Sequence, residues 1–198
     1  MANDSHALRR PEKGFSLVEM LIVVAIIAVM AAIALPNIGN YIRNYRIRGA
    51  AQNVASLLQS ARGKAIATNT NGGVSFFVVD DDSYRFVQED LTGGPEPRGP
   101  IQELPLGVRF VVTSATNAGP SIRFNRMGGF CNPGVSGCAA AFADPCGTDT
   151  ARCTASAGAN FFAPDPADGT LVLTLLEQNT NLRRTVRIAP GGRVLPQP

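Results

Sequence analysis

The sequence predicts an α+β protein in which a long N-terminal helix precedes an antiparallel β-sheet domain and packs on it. Three observations predict this class: an apolar run near the start, a three- and four-residue recurrence of apolar positions directly after it, and short β-branched and aromatic runs from residue 74 onward, separated by Gly, Pro, Asn and Asp. Helix first and strands afterwards is the order of a domain whose helix covers a sheet face.

The apolar run occupies residues 15–35 and carries one charge, Glu19. As a helix rising about 1.5 Å per residue it spans roughly 30 Å, the hydrocarbon thickness of one bilayer. An isolated carboxylate in lipid is expensive, so Glu19 requires neutralisation, an interfacial position or a partner, and the chain's own apolar helix supplies no partner. Pro36 has no N–H and is expected to kink the helix where the run ends. The leader, residues 1–14, ends in Lys13 and Gly14 against the apolar run, and a cut there leaves the apolar segment in place, unlike removal of a secretory signal. Arg9, Arg10 and Lys13 outweigh Asp4 and Glu12, which places the leader in the cytoplasm and the rest outside.

From residue 37 to about 70, Ile38, Tyr41, Ile42, Tyr45, Ala50, Ala51, Val54, Leu57, Leu58, Ala61 and Ala65 recur at helical spacing. Arg43, Arg46, Arg48, Gln52, Gln59, Arg62 and Lys64 fall largely between them. The expected organisation is therefore one helix with a transmembrane half, 15–36, and an amphipathic half, 37–70, followed by a β-rich head, 71–198. Asn and Gly at 69–73 end the helix. Residues 74–79 and 84–89 read as a hairpin around the turn at Asp80, Asp81 and Asp82, and 91–105, rich in Gly and Pro, reads as a surface loop. Further strands are expected at 108–113, 121–125, 171–176, 184–188 and 193–195.

Between the strands expected at 121–125 and 171–176 lies a segment, 130–166, without sustained periodicity, and it holds Cys131, Cys138, Cys146 and Cys153. Their spacing lacks the close Cys-x-x-Cys pairs of zinc sites, and an exported segment meets oxidising conditions, so two disulfides are expected. Three pairings are open, with Cys131–Cys138 and Cys146–Cys153 preferred.

Composition narrows the function classes. A net charge of +3 on 198 residues does not argue for nucleic acid by itself. The only histidine, His6, lies in the leader, and neither a phosphate loop nor a nucleophile elbow occurs, so no enzyme and no cofactor are expected. The three consecutive aspartates read as a solvated turn and not as a metal site. Arg183, Arg184, Arg187 and Arg193 form the one basic cluster. On adjacent strands some of them could share a face and contact phosphates, against the ordinary reading of a solvated strand face.

The run KGFSLVE at residues 13–19, together with Pro36, resembles the type IV pilin and type II secretion pseudopilin superfamily. That resemblance implies a pilin-like fold, removal of the leader by a prepilin peptidase after Gly14, methylation of the new amino terminus at Phe15, and pairing of Glu19 with the amino terminus of a neighbouring subunit. Such pairing is physically sensible because each charge offsets the other's desolvation. The blocks LLQSARGKAI at 57–66, IRFNRMG at 122–128 and RIAPGGRV at 187–194 are similar to the GspH/FimT branch. The implied role is a minor pseudopilin or minor pilin of a type II secretion pseudopilus or a type IV pilus. It would be anchored once in the bacterial inner membrane with its head in the periplasm and partnered by other pilins through the helix, with secreted cargo or DNA as further candidate partners. A DNA-uptake pilin and a major pilin are the alternatives. The DNA-binding branch carries Gly-Arg-x-Arg, which Gly192, Arg193 and Val194 begin and Leu195 departs from.

Overall fold

A computed structural model describes residues 14–69, 73–88, 98–115, 121–131 and 160–197, and the side chains of 34–37 stand outside it. Residues 1–13 of the leader, the expected kink side chain Pro36, and Cys138, Cys146 and Cys153 all lie outside the described residues. The chain forms two compact units, Met1–Tyr41 and Ile42–Pro198. One helix, α1, runs Leu17–Thr68.

In the first unit every large apolar side chain from residue 15 to 33 is exposed, from Phe15 at 77% and Leu17 at 81% to Ile33 at 69%. A helix apolar on all sides satisfies its backbone internally and leaves its side chains without an aqueous solution, which lipid or other helices must then supply. Among the described residues no single helix is long and apolar enough to cross a membrane; the segments Leu17–Ile33 and Ile38–Thr68 meet that length and composition only together.

In the second unit α1 buries Ile47, Ala50, Ala51, Val54, Ala55, Leu58, Ala61 and Ala65. The recurrence by three and four puts them on one face, and the many alanines let the helix backbone lie close to the strands. This stripe starts later than the spacing suggests, because Ile38, Tyr41, Ile42 and Tyr45 are exposed. The helix stops at Thr68, and Asn69 takes a left-handed φ of 50°, as the Asn-rich stop signal predicts.

Among the described residues ten strands follow: β1 Val74–Val78, β2 Ser83–Gln88, β3 Gln102–Glu103, β4 Val108–Phe110, β5 Ser121–Phe124, β6 Phe130–Cys131, β7 Phe162–Pro164, β8 Leu171–Glu177, β9 Arg183–Ile188 and β10 Val194–Gln197. The single expected sheet is instead two antiparallel sheets. One is ordered β3-β2-β1-β5-β6, the other β10-β9-β8-β4, with β7 sharing an edge of β8 with β4. The chain first leaves one sheet for the other after β3, where Gly107 at φ 86° redirects it so that β4 pairs with β8, and it returns to the first sheet for β5 and β6. Part of the expected surface loop is also ordered against the sheet: Arg98 bridges Val87, and β3 pairs with β2, which satisfies an otherwise open strand edge. β10 reaches Gln197 and includes Pro196, tolerated because this strand is an edge.

Aromatic rings hold the two sheets together. Phe76 packs on Tyr84 and Phe86 of its own sheet, with both centroid distances 5.2 Å, and on Phe162 of the other at 6.0 Å. Tyr84 meets Phe110 at 6.1 Å, and Phe110 meets Phe161 at 6.2 Å. Edge-to-face geometry predominates in these contacts, as the ring quadrupole favours.

Candidate functional site

The first candidate is the start of α1. Ser16 caps it: its side-chain oxygen accepts from the Val18 N–H at 3.2 Å and its carbonyl from the Met20 N–H at 3.2 Å. Ser16 and Glu19 stand in the Ser-x-x-Glu spacing of a capping box, a signal the sequence reading did not use. Glu19 lies in the first turn, where the helix dipole favours an anion. It makes no ion pair among the described residues, and it follows Gly14 and Phe15, both exposed.

The second is a junction in the head. Arg62 of α1 donates from Nε to the Gly128 carbonyl at 2.9 Å, and Gln59 donates to the Val194 carbonyl at 3.0 Å. Gly128 sits in the turn after β5, where Asn125 Oδ1 accepts from the N–H groups of Met127 and Gly129, each at 3.0 Å. Gly192 sits in the turn between β9 and β10, packed against the Gly128 carbonyl and Arg62. The blocks 57–66, 122–128 and 187–194 thus converge on one point that joins the helix to both sheets. Sequence reading singled them out only as resembling blocks. The pair of glycines at φ 80° and φ 77° was the available signal for a close approach.

The arginine cluster is not gathered into one patch. β9 alternates, so Arg184 shares the inward face of Val186 and Ile188, while Arg183 and Arg187 point to the other. Arg184 Nη2 donates to Asn44 Oδ1 at 3.4 Å. Arg187 is paired with Asp165 at 2.9 Å and Asp168 at 3.2 Å, leaving Arg183 and Arg193 exposed. Asp80, Asp81 and Asp82 do place carboxylate oxygens within 4.8 Å of one another. Asp81, however, is bound by Arg109 at 2.6 Å, and Asp80 Oδ1 accepts from the Asp81 N–H at 2.7 Å. Cys131, in β6, is disulfide-bonded, and its partner lies outside the described residues.

One buried carboxylate went unnoticed in the sequence. Glu177, 2% exposed at the end of β8, accepts from the Thr180 N–H at 2.7 Å, the Thr180 hydroxyl at 2.5 Å and Asn179 Nδ2 at 3.2 Å. Burial opposes its ionisation, but these bonds and the Arg43 charge outweigh burial and hold its pKa below the ordinary glutamate value. A folded value below the unfolded one gives stability that is complete above the unfolded value, about 4.3, and is lost as the pH falls through the folded value. Denaturant unfolding should therefore show Glu177→Gln markedly less stable than wild type at pH 7, with the gap closing towards pH 3. A gap independent of pH would contradict this.

A capped helix whose apolar side chains from residue 15 to 33 are exposed, with one glutamate in its first turn, and a head of two antiparallel sheets define a class. Residues 9–35 match the prokaryotic N-terminal methylation motif, which supports a type IV pilin or pseudopilin. Within that class, residues 50–139 match the family of the type II transport protein GspH. A curated relative, the fimbrial protein EcpC of Eikenella corrodens, is 34% identical over 74 residues, which are 34% of this chain and 48% of that one. The chain thus spans about half the length of that relative. Among solved structures it is similar to the type IV minor pilin FimU of Pseudomonas aeruginosa, with 14% identity, TM-score 0.44, and coverage of 76% of this chain and 91% of that one. It is likewise similar to the minor pseudopilin EpsH of the Vibrio cholerae type 2 secretion system, with 12% identity, TM-score 0.45, and coverage of 77% and 96%.

Proposed function

We propose that this chain is a minor pseudopilin or minor pilin, a structural and non-enzymatic subunit of a type II secretion pseudopilus or type IV pilus. The observation that carries the reading is the apolar helix that follows Gly14 and Phe15, exposed on all sides and bearing Glu19 in its first turn. The precursor enters the inner membrane through residues 15–36, with leader 1–14 in the cytoplasm and the head in the periplasm. Prepilin peptidase cuts after Gly14 and methylates Phe15. Residues 37–70 carry the head, 71–198, whose Cys-containing segment 130–166 is tied by Cys131, Cys138, Cys146 and Cys153. The helix then leaves lipid for a bundle of sister helices, where Glu19 meets a neighbour's amino terminus. Pro36 loosens the helix ladder at the end of the apolar run.

Mass spectrometry of the protein recovered from its host tests the processing step. The expected mature chain begins at Phe15 and carries one methyl group on its amino terminus. A chain that still begins at Met1 would leave a plain membrane anchor and remove the assembly role.

A further inference from the structure

Beside the amphipathic part of α1 and the end of the β9–β10 ladder is a pocket of about 350 Å³ lined by Arg48, Ala51, Gln52, Arg184, Pro196 and Gln197. Its size is at the small end of ligand sites, roughly 300–1,000 Å³. Asn44, Arg48 and Gln52 are four residues apart and so share one helix face. Arg184 faces them from β9, one residue beyond the Gln197–Thr185 pairing. Its contact to Asn44 is long, 3.4 Å, and its Nε is buried with no hydrogen-bond partner among the described residues. A buried charged donor without an acceptor is costly, and it leaves the charge of a guanidinium that lines the pocket poorly compensated. Among the described residues neither Arg48 nor Arg184 makes an ion pair, whereas Arg109 and Arg187 both do.

We propose that this pocket binds a single carboxylate, the glutamate or aspartate side chain of a neighbouring protein subunit. Arg184 offers its guanidinium charge from the pocket wall, Arg48 adds a second positive charge, and the amides of Gln52 and Gln197 supply neutral donors. A nucleic-acid backbone is a poorer fit. The positive charge here is confined to two guanidiniums, Arg187 lies on the opposite face of β9, and Asp165 and Asp168 already hold it. Binding along a duplex needs a run of cations tracking successive phosphates. The site was hidden in sequence because Arg184 was grouped with its strand neighbours, and Arg48 looked like an ordinary polar-face residue.

Only the source of the carboxylate rests on the filament-subunit reading. The test uses the full chain in detergent micelles, with arginine side-chain NMR signals followed during titration with N-acetylglutamate N-methylamide, inorganic phosphate and a short DNA duplex in parallel. The glutamate probe should move the Arg184 Nε–H signal saturably, and Arg48→Gln should weaken that binding about tenfold or more. No saturable shift, or tighter binding of phosphate or duplex at Arg184, would overturn the proposal. Carboxylate binding in a protein that never enters filaments would confirm the pocket and overturn only its assignment to a filament neighbour.

Discussion

Gly192→Ala is expected to lower the melting temperature of the head by on the order of 10 °C, a loss of roughly 4 kcal/mol for a chain of this size. Two effects add. Gly192 has φ 77°, a conformation that strains any residue with a Cβ by about 1–3 kcal/mol. A Cβ there would also overlap the Gly128 carbonyl, which is backbone and cannot swing aside, and would press on Arg62. Gly191 is the internal control, since a Cβ at that position meets nothing within 4 Å. Gly191→Ala should melt within a few degrees of wild type, because alanine there is neutral or slightly favourable through the unfolded chain. Equal melting of the two variants by circular dichroism would show that the junction of α1 with both sheets does not carry the head's stability.

What could be read from sequence follows from how local each signal is. The helix end at Thr68 was legible because Asn69 has to adopt a left-handed φ, β8 because it is a nearly continuous apolar run, and β9 because its apolar residues alternate. The N-terminal motif was equally plain, since Gly14, Phe15 and Glu19 lie within a few residues of one another along a single segment. The division into two sheets was not legible, because it depends on Val108 pairing with Glu177 and not with a strand nearby in sequence. Nor was the Arg62–Gly128 contact, which joins residues 66 positions apart. β3 escaped notice because two residues between prolines and glycines carry no periodicity. Only some of the arginines share a face, for a reason present in the sequence: residues 183 and 187 differ by an even number and lie on one face of β9, whereas 184 and 187 differ by an odd number and lie on opposite faces. The apolar residues from Ile38 to Tyr45 kept helical spacing but stayed exposed, which spacing alone does not reveal.

Glu19→Gln should leave leader removal and membrane retention intact and reduce the chain's share of the filament fraction by on the order of a hundredfold. The exchange preserves shape and removes the charge. In an apolar bundle, a neighbour's amino terminus would then lie unpaired, and breaking one side of a buried ion pair costs about 3–5 kcal/mol. Within the described residues of this chain Glu19 has no partner of its own, and the surrounding side chains of the helix are apolar and exposed. In the proposed assembly, the group that makes this carboxylate tolerable in a filament core comes from another subunit. The decisive measurement is quantitative mass spectrometry of wild-type and Glu19→Gln chains in membrane and filament fractions of the same cells. Equal membrane content with near-complete loss from filaments is the predicted result, and equal filament content would contradict the account.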